Sequence, residues 1–225
     1  MKTLPFQIIF EDLHLIILSK PAGLLSQGEH TGDENLVSAL QSYLGRNYVG
    51  LIHRLDRNTS GIMLVAKRTK AARRLTDALQ EGKVVRSYLG WVLGELKKPV
   101  LWKHFLTKDS EKNIAQVVAS THSGAKAASL RAHPITKGKF KDKTLTLVEF
   151  QLETGRSHQI RVQSAHEGYP LLGDWKYNPQ ARTLAKAFGR PALHSYQISF
   201  PHPMSGEILK FEAPLPKDFE KIIRS

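Results

Sequence analysis

The segment HRLDRNTSG, at residues 53–61, holds one carboxylate, Asp56, between two arginines, Arg54 and Arg57. The chain around it is strongly basic, with a formal net charge of +13. An acid among bases is either neutralised in a structural ion pair or kept ionised for chemistry, because an opposite charge within hydrogen-bond reach lowers the pKa of a carboxyl group. Asp56 is therefore the first candidate for a reactive group.

A second group of polar residues lies at residues 154–174 and includes the run GRSHQIR, which ends at Arg161. We predict a short helix over residues 157–167, on which Ser157 and Arg161 are four residues apart and share a face. Arg161 would then reach inward. A buried guanidinium is energetically expensive without an anion beside it, and Asp56 is the natural candidate for that anion.

Motifs for nucleotide cofactors and for metals are missing from the sequence. It has no P-loop ending in Lys and Ser or Thr, no G-x-G-x-x-G and no G-x-S-x-G. Cysteine is absent, and the ten histidines form no H-E-x-x-H. His158 and His166 have no acidic ligand placed to complete a metal site with them. We therefore predict neither a cofactor nor a bound metal.

Composition favours a polyanionic partner. The chain has 33 Lys and Arg against 20 Asp and Glu, and its isoelectric point is about 9.9. A basic surface that only keeps the protein soluble is the alternative. No apolar stretch approaches the ~18 to 20 residues that span a bilayer, and Glu11 and Asp12 interrupt the apolar run at residues 6–10 before it reaches signal-peptide length. We expect a cytoplasmic protein with no membrane association.

Strands outnumber helices in the hydrophobic pattern and often follow one another directly, which predicts an α+β fold with a mixed, largely antiparallel sheet. The predicted strands are residues 7–10, 14–18, 61–66, 84–93, 114–119, 127–132, 144–152, 196–200 and 207–212. Besides the helix at 157–167, we predict one helix over residues 36–44 capped by Asp33 and another capped by Thr69. Residues 101–113 are charged and without a period, which indicates a surface excursion.

The residues at 53–61 resemble the signature of the RluA-type pseudouridine synthases, H-R-L-D-x-x-T-S-G, with Asp56 on the catalytic aspartate of that family. Further blocks agree in order along nearly the whole chain. They are the K-P-A-G loop at residues 20–23, the tyrosine strand at 87–94, the G-R-x-H-Q-I-R to G-D block at 154–174, and Leu193 with His194. The resemblance implies a pseudouridine synthase fold, with a sheet in two lobes flanked by helices and a central RNA-binding cleft.

The resemblance implies roles for particular residues. Asp56, Tyr88 and Arg161 match the catalytic set: Asp56 attacks C1′ of the uridine or removes a ribose proton, Arg161 pairs with it, and Tyr88 packs against the base or removes the C5 proton. Both routes stay open. Arg54 matches a residue that fills the gap left when the uridine is flipped out of the RNA. The predicted RNA-binding residues are Arg54, Arg57, Arg156 and His158.

The resemblance also implies a catalytic domain standing alone over residues 1–225, without a separate N-terminal RNA-binding module. We expect a monomer that needs no protein partner and acts on structured RNA, with rRNA slightly favoured over tRNA. The chain differs from the family pattern at Asn58, Arg86 and Gln163, where Asp, Lys and His are common. Two alternatives are an RNA-binding protein of the same fold without catalysis and a carboxylate glycosidase or nucleosidase. The second usually needs two acids, and no second acid has a comparable context.

Overall fold

The computed structural model describes residues 4–28 and 33–223. Within them the strands are β1 (Gln7–Glu11), β2 (Leu15–Lys20), β3 (Gly50–Leu51), β4 (Ser60–Ala66), β5 (Val85–Leu93), β6 (Val100–Asp109), β7 (Ile114–Val118), β8 (Lys126–Phe140), β9 (Lys143–Leu152), β10 (Leu193–Pro201) and β11 (Ile208–Glu212). The helices are α1 (Leu36–Leu44), α2 (Thr69–Gln80), α3 (Gln159–His166), α4 (Arg182–Phe188) and α5 (Lys217–Ile223), with a 3₁₀ turn at Pro179–Ala181.

The chain forms two compact units, Met1–Arg86 with His194–Leu215, and Ser87–Leu193 with Pro216–Ser225. The strand pairs are largely antiparallel, while β4 and β10 run parallel. The predicted α+β fold with a mixed sheet is therefore confirmed. No helix in the described ranges has both the length and the apolar character to cross a membrane.

In the first unit the strand order is β1-β2-β4-β10, with β3 beside β4 and β11 beside β10. All seven residues of β4 are buried. One face of β4 and β2 packs against the apolar face of α2, which contributes Ala71, Leu75 and Ala78 to the core. This arrangement follows from the helical spacing of those three residues, and it fixes the strand that directly follows the segment at 53–61.

In the second unit the strand order is β5-β9-β8-β6-β7. Trp91 and Phe150 are fully buried in it. Helix α3 packs on the strands β6, β7 and β8, where Val162 contacts Leu106, Ala115 and Ala128. The unit therefore anchors the helix that carries Arg161.

The prediction of a surface excursion at residues 101–113 is wrong, because β6 covers most of it. Trp102 and Leu106 point inward and are buried. The inward position between them holds His104, whose Nε2 lies 2.9 Å from a carboxylate oxygen of Glu167. A histidine on the inner face removes the apolar alternation that identifies a strand in a sequence.

The structure corrects three predicted helix starts. Asn35, not Asp33, caps α1, and its side chain accepts a hydrogen bond from the Ser38 N–H at 3.1 Å. Thr69 is the first residue of α2, and the cap position is Arg68, which makes no side-chain capping bond. The third helix begins at Gln159 and not at Ser157.

Other boundaries differ where the sequence signal is weak. The sequence pattern predicts a strand that ends at Ala132, but β8 continues through Pro134, where a shift of register lets the chain pass a residue that has no N–H. The short helices α4 and α5 were not predicted. Only Ala185 is buried in α4, so that helix has no apolar stripe to recognise.

Candidate active site

Asp56 lies in the loop between β3 and β4 of the first unit and is half-buried. Its carbonyl accepts a hydrogen bond from the Thr59 N–H at 3.0 Å. The Ser26 hydroxyl donates to the Leu55 carbonyl at 2.6 Å and accepts from the Leu55 N–H at 3.2 Å. The backbone is therefore fixed on both sides of the carboxylate, which limits the positions that the carboxylate can take.

The K-P-A-G loop at residues 20–23 also holds the backbone next to Asp56. Lys20 is fully buried, and its ammonium donates to the carbonyls of Pro21, Leu24 and Arg57 at 2.9, 2.8 and 3.1 Å. The Gly23 N–H also donates to the Arg57 carbonyl, at 2.8 Å. A buried ammonium is tolerated only where its donors are used, so Lys20 ties the two loops together.

His53 anchors the start of the segment. Its Nε2 accepts a hydrogen bond from the Leu64 N–H of β4 at 3.2 Å. Burial, together with the positive charge of Arg86, lowers the pKa of His53 to about 3. The ring is therefore neutral at pH 7 with its proton on Nδ1, and it acts as a structural hydrogen-bond acceptor.

Gly61 ends the segment in a conformation that requires glycine. Its φ is +115°, and a Cβ there would lie 2.1 Å from the Ser195 carbonyl oxygen. This close approach occurs where β4 and β10 pair in parallel, with Ser60 opposite His194 and Gly61 opposite Ser195. The Ser60 hydroxyl lies 2.9 Å from Nδ1 of His194. The T-S-G end of the motif thus serves strand pairing.

The two arginines beside Asp56 differ in their surroundings. Arg54 is exposed. Arg57 is also exposed, but its Nη1 lies 2.9 Å from the carboxylate of Asp33 and its Nε donates to the Gly23 carbonyl at 3.1 Å. The guanidinium of Arg57 therefore already holds the loop together, while that of Arg54 is better suited to an external phosphate or base.

In the second unit, Tyr88 lies on β5 with 5% of its surface exposed, opposite Phe150 of β9. Arg161 lies in the first turn of α3. Its Nε and Nη2 donate to the two carboxylate oxygens of Asp174 at 2.7 and 2.9 Å, and Asp174 is 3% exposed. Asp174 is thus a bidentate partner of Arg161 that lies outside the predicted site residues, and the pairing of Arg161 with Asp56 stays a prediction.

Tyr177 connects Arg161 with His158. The Arg161 guanidinium lies over the Tyr177 ring, 5.2 Å from its centre, and the Tyr177 hydroxyl lies 2.6 Å from Nδ1 of His158. His158 has a positive φ of 53° just before α3. The structure thus brings together two of the predicted site residues, through a tyrosine outside the predicted set.

Gln159 shapes the turn that precedes α3. Its side-chain oxygen accepts from the Thr154 hydroxyl at 2.8 Å and from the Arg156 N–H at 2.9 Å, and its amide donates to the Ser129 carbonyl at 3.0 Å. The exposed guanidinium of Arg156 donates to the Ala127 carbonyl at 2.9 Å. The polar run GRSHQIR therefore builds a rigid turn as well as presenting charges.

Asp56, Arg54 and Arg57 belong to the first unit, whereas Tyr88, Arg156, His158 and Arg161 belong to the second. Two of the departures from the family pattern are buried: Arg86 is 8% exposed and Gln163 is fully buried. Within the described ranges, no group of three or more His, Asp or Glu side chains is placed to hold a metal ion.

The comparisons with known proteins agree with these motifs. A family model described as RNA pseudouridylate synthase matches residues 14–166. The chain is 35% identical to the ribosomal large subunit pseudouridine synthase D of Nitrosomonas europaea, over 100% of this chain and 66% of that protein. It is 34% identical to the protein of the same name from Haemophilus ducreyi, over 100% of this chain and 71% of that protein.

The chain belongs to the RNA pseudouridylate synthase family. It lies within the RluA-type group that its motifs indicated, and the enzymes of this family are isomerases. A solved structure of human RNA pseudouridylate synthase domain containing 1 has the same fold, with a TM-score of 0.80 and 21% identity over 96% of this chain and 86% of that one. Human RNA pseudouridylate synthase domain containing 4 follows with a TM-score of 0.74 and 22% identity, over 95% of this chain and 90% of that one.

Proposed function

We propose that this chain converts uridine to pseudouridine in RNA and that Asp56 is its catalytic aspartate. The observation that carries the proposal is the built position of Asp56: the family signature surrounds it, and Ser26, Lys20 and Gly23 fix the backbone on either side. An aspartate that only forms an ion pair on the surface would not need the buried ammonium of Lys20 or the K-P-A-G loop to fix its backbone.

The reaction breaks the bond between N1 of the uracil and C1′ of the ribose, turns the base, and joins C5 to C1′. Atoms and electrons balance without any imported group. In the proposal Asp56 either attacks C1′ or removes a ribose proton to form a glycal. Each route requires the ionised carboxylate.

Arg161 supports Asp56 in this proposal as its counter-charge, and Asp174 orients the guanidinium. A guanidinium has five N–H donors. The pair with Asp174 engages Nε and Nη2 of this guanidinium and fixes its plane. Asp174 is thus a positioning residue, acting through Arg161.

Tyr88 packs against the target uracil in the proposal, and removal of the C5 proton is its second possible role. The target lies inside structured RNA, so it must be flipped out at an unstacking cost of a few kcal/mol. Arg54 fills the gap that the uridine leaves. The exposure of Arg54 favours this role over Arg57, whose guanidinium already holds Asp33 and Gly23.

We further propose rRNA of the large ribosomal subunit as the substrate, ahead of tRNA. Support comes from the names of the relatives from Nitrosomonas europaea and Haemophilus ducreyi, which are ribosomal large subunit pseudouridine synthases. A single catalytic domain that acts as a monomer in the cytoplasm is part of the same proposal. An RNA-binding protein without catalysis is disfavoured, because it would need no internal acid on a fixed loop.

The experiment is a map of pseudouridines across total RNA from cells with and without the gene. We expect the loss of one or a few sites in large-subunit rRNA, and their return when the purified chain is incubated with the unmodified transcript. Loss confined to tRNA would contradict the proposed substrate. Unchanged maps, together with no product from the purified chain, would contradict the activity itself.

A further inference from the structure

Trp175 is exposed to solvent in a chain whose other tryptophans are buried. Its surface is 60% exposed, whereas Trp91 is fully buried and Trp102 is 5% exposed. An indole in water leaves a large apolar face exposed, and tryptophan is highly buried on average. Nothing in the proposed chemistry of Asp56 uses Trp175.

The backbone that carries Trp175 is held firmly. The preceding residue is Asp174, whose buried carboxylate pairs with Arg161. The Asn178 N–H donates to the Asp174 carbonyl at 3.0 Å, and the Trp175 N–H donates to the Gly173 carbonyl at 3.2 Å. These bonds fix the backbone from which the indole projects, so less backbone entropy is lost when a ligand stacks on Trp175.

Two cations lie beside the indole. Arg182 and Lys186 are four residues apart on α4, so they share a face of that helix. Together with Trp175 they line a cavity of about 330 Å³, which Ala185 and Gly189 complete. The sequence from residue 175 to 190 contains no Asp or Glu. The surface thus combines an aromatic face with positive charge that no nearby acid of the same segment neutralises.

We propose that Trp175, Arg182 and Lys186 form a second RNA contact. It binds one unpaired nucleotide, which is not the reacting uridine. The base stacks on the indole, and the adjoining phosphates lie against the two cations. Aromatic side chains interleaved with basic ones are the usual platform for single-stranded nucleic acid, because every base has a π face. Among the residues that the structure describes, no acid lines the cavity, so its lining does not repel the phosphates.

This inference rests on the proposed function in that it takes RNA as the substrate, but its test does not need turnover. The probe is a single-stranded oligoadenylate, which contains no uridine. Stacking should quench the fluorescence of Trp175, the exposed tryptophan, during the titration. Inorganic polyphosphate supplies the same charge without bases, and it should bind without quenching. Equal quenching by polyphosphate would contradict base stacking and favour a general site for polyanions, including acidic proteins.

Variants separate stacking from charge. Trp175→Ala should lower the affinity for oligoadenylate by about 5- to 100-fold, whereas Trp175→Phe should stay within about threefold of the parent because it keeps an aromatic face. Arg182→Gln and Lys186→Gln should each reduce the salt dependence of binding by about one unit of slope. The controls are Ile208→Ala and Lys210→Gln, exposed positions on β11 of the first unit, which should leave affinity unchanged.

Failure of this inference can be told apart from failure of the proposed function. If Trp175→Ala binds oligoadenylate as the parent does, the second contact is wrong even where the parent forms pseudouridine. If the parent forms no pseudouridine in any RNA, yet oligoadenylate quenches Trp175 and the alanine variant loses affinity, the contact stands and the catalytic proposal fails. On a substrate RNA, Trp175→Ala should raise KM and change kcat little.

Discussion

The guanidinium of Arg161 and the carboxylate of Asp174 form two parallel hydrogen bonds, at 2.7 and 2.9 Å, with both side chains buried. Bidentate pairing fixes the plane of a guanidinium as well as its position. The pair joins the first turn of α3 to the turn that carries Trp175 and Tyr177. One carboxylate therefore orients the arginine proposed for catalysis and fixes the turn proposed for a second RNA contact.

Replacing Asp174 should be costly for stability. Asp174→Asn would leave the charge of Arg161 buried without its bidentate partner, so we expect the free energy of unfolding to fall by about 3 kcal/mol. Asp33→Asn removes the partner of Arg57 in an exposed pair and should cost less than about 1 kcal/mol. Denaturant unfolding of both variants measures the difference. If both variants lost the same free energy of unfolding, the pair between Arg161 and Asp174 would contribute no more to stability than an exposed pair, which would contradict this prediction.

Gly61 should tolerate no side chain. In Gly61→Ala the new methyl group would meet the Ser195 carbonyl oxygen at 2.1 Å, so β4 and β10 could not keep their pairing, and we expect a loss of about 3 kcal/mol or more. Gly82→Ala is the matched control: its φ is also positive, at +72°, but nothing lies within 4 Å of the added Cβ. That variant should lose about 1 kcal/mol. Thermal and denaturant unfolding measure the two losses of stability. A loss for Gly61→Ala no larger than that for Gly82→Ala would contradict the close contact with Ser195.

His53 should contribute an acid-sensitive part of the stability. Its folded pKa is about 3 against an ordinary value of 6.5, so the unfolded chain binds a proton in this window and the folded chain does not. Stability from this group is therefore complete above pH 6.5 and falls as the pH drops from 6.5 towards 3, by up to about 1.4 kcal/mol per pH unit.

The variant His53→Gln, which keeps an acceptor for the Leu64 N–H, should remove that slope. The free energy of unfolding, measured at several values between pH 6.5 and pH 3, should fall less steeply for this variant than for the parent. His122→Gln alters an exposed histidine and serves as the control. Parallel curves for the parent and His53→Gln would show that the buried ring does not have the assigned pKa.

The two arginines beside Asp56 should differ in their contribution to RNA affinity. Arg54→Gln should reduce the salt dependence of binding by about one unit of slope if it contacts a phosphate of the RNA. Arg57→Gln should change the slope less, because Asp33 and the Gly23 carbonyl already engage that guanidinium. The measurement is RNA affinity across a salt series. A larger effect at Arg57 would reverse the assignment.

The sequence predicts the family correctly because the motif at residues 53–61 is a continuous local pattern. It also predicts β4, α1 and α2 to within about two residues, since their apolar patterns are regular. It fails at β6, where His104 occupies an inward position and is satisfied by Glu167 and Gln163. Such compensation comes from residues distant in the chain, so no local pattern reports it.

The partner of Arg161 shows the same limit at the site. The expectation that an inward arginine needs an anion agrees with the pair between Arg161 and Asp174, whereas the pairing of Arg161 with Asp56 stays a prediction. The block at residues 154–174 contains two acids, Glu167 and Asp174, and no local pattern shows which of them faces Arg161. Lys20 and Ser26 act through backbone carbonyls and N–H groups, and such contacts leave no complementary side chain to find.

Asp56→Asn, assayed for pseudouridine in a substrate RNA, is the most direct test of the catalytic proposal. Asn keeps the size of the side chain but lacks the ionised carboxylate, so we expect the rate to fall by about 10²-fold or more while RNA affinity and unfolding free energy stay close to those of the parent. Asp77→Asn, on the exposed face of α2, should leave the rate unchanged. Turnover by Asp56→Asn at the rate of the parent would contradict the catalytic role of Asp56.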